Sequence, residues 1–143
     1  MIDKVALCIS VLAFVLSVIQ FLKESSRQKN ESTLIAYREL QEDVFTKLNV
    51  ILCENDKEDL ERLEPGDALW EEITEFLVKI ELFVAGIQTG IYSFNIFKQV
   101  GGGYFVRIYD SLELIIKKKQ EQNNNESNRY NNLKEVVAKI KGE

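Results

Sequence analysis

VALCISVLAFVLSVIQFL, residues Val5 to Leu22, carries no charge over eighteen positions. As an α-helix it is about 27 Å long, close to the hydrocarbon thickness of a bilayer, about 30 Å. Its small and polar side chains are sorted. Ala6, Ser10, Ala13, Ser17 and Gln20 recur at spacings of four, three, four and three. Asp3 and Glu24 keep the rhythm at either end, and Cys8 alone departs from it. Lipid surrounds a solitary anchor evenly and gives no reason for such sorting, whereas a helix packed against copies of itself has one. The stretch predicts a transmembrane helix over residues 1–23 that self-associates. Ala6, Ser10, Ala13, Ser17 and Gln20 form the shared face, which has two readings. Either the backbones pack closely with hydroxyls bonding across the seam, or four or more copies surround a polar path.

The rivals are a cleaved signal peptide and a buried helix of a soluble fold. No small-x-small cleavage site follows the run; Lys23, Glu24, Arg27 and Lys29 do. Lys4 stands alone before the span, against Lys23, Arg27 and Lys29 after it. That bias predicts a single-pass inner-membrane protein with its C-terminal domain in the cytoplasm.

Residues 24–143 make up the predicted cytoplasmic domain, long enough for one hydrophobic core. Cys8 and Cys53 are the only thiols, so no disulfide framework is expected. The chain has no histidine. That removes histidine-based triads and the usual zinc sites, and no metal or cofactor is expected. A net charge of −5 argues against bulk DNA binding but leaves room for a compact basic pocket.

Beyond the anchor the periodicity is helical throughout, which predicts an all-α fold: one transmembrane helix followed by a cytoplasmic α-helical bundle. Lys23 to Glu31 contains no breaker, so the anchor can run directly into the next helix. From Ser32 to Cys53 the stripe is Leu34, Tyr37, Leu40, Val44, Leu48 and Ile51. Pro65-Gly66 stops an acidic connection, and Asp67 is placed to cap a second helix with its carboxylate. That helix buries Leu69, Ile73, Phe76, Ile80, Phe83 and Ile87, widened by Trp70, Leu77 and Val84, and Gly90 ends it. A short helix over Phe94 to Val100 follows, with Ser93 as its cap. Gly101-Gly102-Gly103 is then read as a turn before a helix with Phe105, Ile108, Leu112 and Ile115 inside, ending at Lys117-Lys118-Lys119. Gln120 to Asn128 is read as a loop. The last helix has Tyr130, Leu133, Val137 and Ile140 on one side.

Few residues suggest chemistry. Exposed amides at a helix start after the glycines would attract an anion, with Arg107 one turn further in. This is not a Walker loop, because no Gly-Lys-Ser/Thr ending is present. Arg38, Lys98, Arg107 and the 117–119 lysines can form an anion pocket only if folding brings them together. Arg107 with Tyr104 is the most attractive pair, a guanidinium fork for phosphate and a ring for stacking. Glu71, Glu72 and Glu75 sit in the first turns of their helix, where negative charge is favourable, and no nucleophile accompanies them. The chain is not read as an enzyme.

Phe83-Val84-Ala85-Gly86-Ile87-Gln88-Thr89-Gly90-Ile91-Tyr92, followed by Gly102-Gly103-Tyr104-Phe105-Val106-Arg107, resembles a family of small bacterial membrane-anchored proteins of unknown function. Such proteins are similar to membrane components of anti-phage loci, nearest the transmembrane channel effectors of the Hailong defence system, which work with a nucleotidyltransferase. The resemblance implies a homo-tetrameric channel whose cytoplasmic domain binds an oligonucleotide or cyclic nucleotide signal. It also implies that Arg38, Tyr104 and Arg107 do the binding. The alternative expectation is a non-conducting, membrane-anchored adaptor that recruits a partner protein.

Overall fold

The computed structural model describes residues 2–122 and 129–142. Its first element is an α-helix, α1 (Ile2–Leu40). A π turn (Gln41–Phe45) joins this without a break to α2 (Thr46–Glu54). A single helix of 53 residues therefore runs from Ile2 to Glu54. At about 1.5 Å per residue it is about 80 Å long. Its N-terminal part is long and apolar enough to cross a membrane, and none of that stretch is buried against the rest of the chain. A core helix of a soluble fold would be.

The π turn sets which residues reach the bundle. Thr46 Oγ1 donates to the Gln41 carbonyl at 2.9 Å, and the extra residue re-phases the helix that follows. Tyr37, Leu40, Val44, Phe45, Leu48 and Ile51 are all buried. The predicted stripe holds except at its first member, since Leu34 is 46% exposed. Thr33 takes the inward position instead. Its hydroxyl donates to the Lys29 carbonyl at 2.7 Å and accepts the Ser93 N–H at 2.8 Å.

A short helix, α3 (Lys57–Glu61), opens with a reciprocal cap between Asp56 and Asp59. Asp67 stands at the N-cap position of α4 (Ala68–Gln88), yet its carboxylate makes no bond to that helix. It accepts the Glu64 N–H at 2.9 Å, because the Pro65-Gly66 reversal folds that amide back toward it. The predicted inner face of α4 is observed, with Leu69 half-buried at its edge.

Gly90 has a φ of +80° and turns the chain after α4. Tyr92 then folds back over Gly86. The Tyr92 N–H donates to the Gly86 carbonyl at 3.0 Å, and its ring stacks on Phe83 at 5.4 Å. A Cβ at Gly86 would lie 2.5 Å from two ring carbons of Tyr92. The G-I-x-x-G-I-Y spacing thus has a packing cause: one glycine receives the ring and the other reverses the chain.

The glycine triplet is not a turn. α5 (Phe94–Gln122) runs through it as one helix, replacing the expected pair of helices. Neighbours press on the helix there. Gly101 lies under the ring of Tyr37 from α1. Gly102 faces the last helix, α6 (Asn131–Lys141), where a Cβ on Gly102 would lie 3.4 Å from Ile140 Cγ2. Glycine lowers helix propensity by about 1 kcal/mol per residue relative to alanine, but here it permits the close approach of two other helices. Gln120 to Gln122, expected in a loop, are the last residues of α5, and the rest of that expected loop, residues 123–128, lies outside those described. No strand occurs among the described residues.

α6 is capped by a residue from α4. The Glu81 carboxylate accepts the N–H groups of Asn132 at 3.2 Å and Leu133 at 3.0 Å, amides of the first turn that have no partner within the helix. Burial pushes the Glu81 carboxyl above its ordinary pKa; the α6 hydrogen bonds pull it back, and Glu135 adds a small further push. Because the folded value is raised, burial favours the protonated carboxyl, and that part of the stability is present below the ordinary carboxylate pKa and lost as pH rises through the raised one. Glu81→Ala is expected to cost about 1–3 kcal/mol by leaving two amides unpaired. Glu81→Gln, which keeps an acceptor, should cost less and flatten the pH dependence in that window. Urea unfolding followed by the fluorescence of Trp70, the single tryptophan, reads both. Equal stability of the alanine variant and the parent would remove the capping role.

Candidate functional site

Two regions bear on function: the apolar segment of α1 and a groove between α2 and α5. Along α1 the regular helix carries Ala6, Ser10, Ala13, Ser17 and Gln20 on one side, all exposed. Ser10 Oγ donates to the Ala6 carbonyl at 2.9 Å and Ser17 Oγ to the Ala13 carbonyl at 2.8 Å. Each hydroxyl is thus satisfied by its own helix, so both serines can sit in a dry environment.

Tyr104 and Arg107 lie one turn apart on α5 and share a groove of about 260 Å³ with Asn49, Leu52, Cys53, Ile108 and Ser111. The Tyr104 hydroxyl donates to Asn49 Oδ1, and its ring meets Phe45 edge-on at 4.7 Å. Burial pushes the Tyr104 hydroxyl pKa up and the neighbouring Tyr37 adds to this, while Arg107 and the Asn49 bond pull it down. Tyr104 is therefore held in place by the bundle, and the exposed Arg107 guanidinium is the group free to meet an anion. Asn49, Cys53 and Ser111 carry no sequence signal that singles them out.

The other basic residues do not join this groove. Arg38 is exposed on α1 and does not line it. Lys118 donates to the carbonyls of Glu61 at 2.7 Å and Leu63 at 2.9 Å, tying the end of α3 and the segment after it to α5. Lys117 pairs with Glu113 at 3.4 Å. Lys119 faces a different groove, of about 430 Å³, with Glu71, Glu72 and Glu75 along its other wall and Arg129 beside it. The lysine run is thus spread around its helix. Nor do the glycines offer helix-start amides for an anion, because Gly101 to Gly103 lie inside α5.

A family model described as a domain of unknown function (DUF4760) matches residues 7–140. The chain belongs to this family. The DUF4760 match begins inside the apolar run and ends in α6, so the membrane-length segment and the bundle fall within one family unit. No curated protein and no solved structure matches the chain. The DUF4760 description carries no activity and no link to a defence system.

Proposed function

We propose that this DUF4760 protein is a self-associating, single-span protein of the inner membrane, and that its cytoplasmic bundle controls a pore formed by the membrane helices. The observation that carries this reading is the unbroken helix from Ile2 to Glu54. Its first half is uncovered and apolar, and its second half supplies Tyr37, Phe45 and Leu48 to the bundle core. A rigid helix shared by both parts passes a displacement of the bundle to the span without a linker to absorb it. Ser10, Ser17 and Gln20 line the path in this reading. Arg107, with Tyr104 and Asn49 behind it, is the proposed contact for a phosphate-bearing signal, and the resemblance to anti-phage membrane components makes an oligonucleotide or cyclic nucleotide the signal class to test.

Purified protein in liposomes tests this directly. Ser17→Leu and Gln20→Leu are each expected to abolish ion flux while leaving the protein membrane-inserted, and Arg107→Ala to remove its dependence on added nucleotide. Undiminished flux from both leucine variants would overturn the pore. The internal hydroxyl bonds of Ser10 and Ser17 favour a second reading, a dry seam that only holds an adaptor together. Under that reading, an unrelated self-associating membrane helix in place of residues 1–23 keeps the protein functional.

A further inference from the structure

The bundle docks on α1 from one side, and the opposite side stays bare well past the membrane. Turning about 100° per residue, a regular helix brings Ala6, Ser10, Ala13, Ser17 and Gln20 into one arc with Glu24, Gln28, Glu31, Ile35 and Arg38. Thr33, Tyr37 and Leu40, the α1 residues buried by the bundle, centre roughly 180° away from that arc. The arc therefore continues in phase about 20 Å beyond Leu22 on a face the bundle does not touch. On it Ile35 is 61% exposed, with Leu34 beside it at 46%. Leu34 lies about 100° round the helix from Ile35, at the edge of this face, and an assembly that meets along the arc covers both side chains.

We infer that this cytoplasmic face of α1 is a subunit interface whose occupant is a second copy of the chain, with the bundles on the outside of the assembly. The inference rests on the self-association proposed above and extends it out of the membrane. Three observations select a second copy. The helix is unbroken, so an assembly that meets along Ser10 and Ser17 brings the same helices side by side at Glu31 and Ile35. Insertion in one direction makes the copies parallel, which aligns like positions. The carboxylates on the face do not oppose that alignment. Arg27 reaches Glu24 at 3.0 Å and Glu31 at 3.9 Å, so each helix brings its own cation to the two carboxylate layers, and Arg38 follows the apolar layer of Leu34 and Ile35. Arg38, expected at a ligand site from sequence, is here an interface residue.

Disulfide trapping in native membranes tests this on the full chain with Cys8→Ala and Cys53→Ser. Single cysteines are introduced by Ser17→Cys, Glu31→Cys, Ile35→Cys and Arg38→Cys, with Lys29→Cys on another face as control. Dimer bands at 17, 31, 35 and 38, at least fivefold above the control, are the expected result. Bands at 17 with none at 31, 35 or 38 overturn the cytoplasmic interface and leave the membrane seam standing. Bands at 31, 35 and 38 without one at 17 support it and overturn the seam. Bands nowhere, or equally at 29, defeat both. As a check independent of cysteine placement, Ile35→Asp is expected to lower the native mass of the detergent-extracted assembly; an unchanged mass counts against the interface.

Discussion

Tyr37→Ala is expected to destabilise the bundle by about 3–5 kcal/mol, the usual cost of deleting a buried aromatic ring. Tyr37 is 6% exposed, and its ring centre lies 6.0 to 6.4 Å from those of Phe45, Phe83, Phe97 and Phe105. These rings come from the π turn, α4 and α5, so one side chain of α1 holds three other segments to it. The hydroxyl contributes less. Burial pushes its pKa up and a hydrogen bond with Gln41 pulls it back, so Tyr37→Phe is expected to cost only about 1 kcal/mol. Urea unfolding in detergent, followed by Trp70 emission, separates the two. If the proposed pore exists, the ring's loss should also loosen the apolar helix from the bundle, and flux in liposomes should lose its dependence on the bundle's state. A Tyr37→Ala variant as stable as Tyr37→Phe would show that the ring does not join α1 to the bundle.

The sequence is legible where one face of a helix is uniformly apolar. The α4 pattern from Ile73 to Ile87 needs no tertiary knowledge, since a large apolar residue recurs at every third or fourth position, and Val78 and Leu82, the apolar residues outside that rhythm, are the ones left exposed. The pattern fails at Leu34 for a physical reason. Leu34, Tyr37 and Leu40 are spaced by three, each such step falls about 60° short of a full turn, and Leu34 therefore drifts off the bundle face within the regular helix, while Thr33, with a hydroxyl that bonds Lys29 and Ser93, fills the inward position. Leu34 is apolar and exposed, and periodicity alone cannot separate a core face from an interface face. Tyr104 and Arg107 can be paired from sequence because they are one turn apart on α5. Asn49 and Cys53 cannot be, because they reach the same groove from α2 through tertiary packing. Consecutive lysines point about 100° apart on a helix, so the scatter of Lys117, Lys118 and Lys119 follows from geometry once the helix is known to continue.

The glycine triplet misleads because glycine's low helix propensity says nothing of what packs on it, and the two effects can be measured one residue at a time. Gly103→Ala is expected to stabilise the bundle by about 1 kcal/mol, because a Cβ there meets nothing and alanine is the better helix former. Gly101→Ala should do the reverse. Its Cβ would lie 2.5 Å from Tyr37 Cε2 and Cζ, and Tyr37 is held by four rings, so the clash is expected to cost about 1–3 kcal/mol. Two alanines, two residues apart on one helix, thus have opposite signs in the same Trp70 unfolding experiment. The cause can be isolated by combining Gly101→Ala with Tyr37→Ala. With the ring gone the added methyl group has room, so the double variant should be less destabilised than the sum of the singles. Simple additivity would mean that the cost at Gly101 arises elsewhere, and that the close approach of α1 to α5 does not explain why a glycine stands inside the helix.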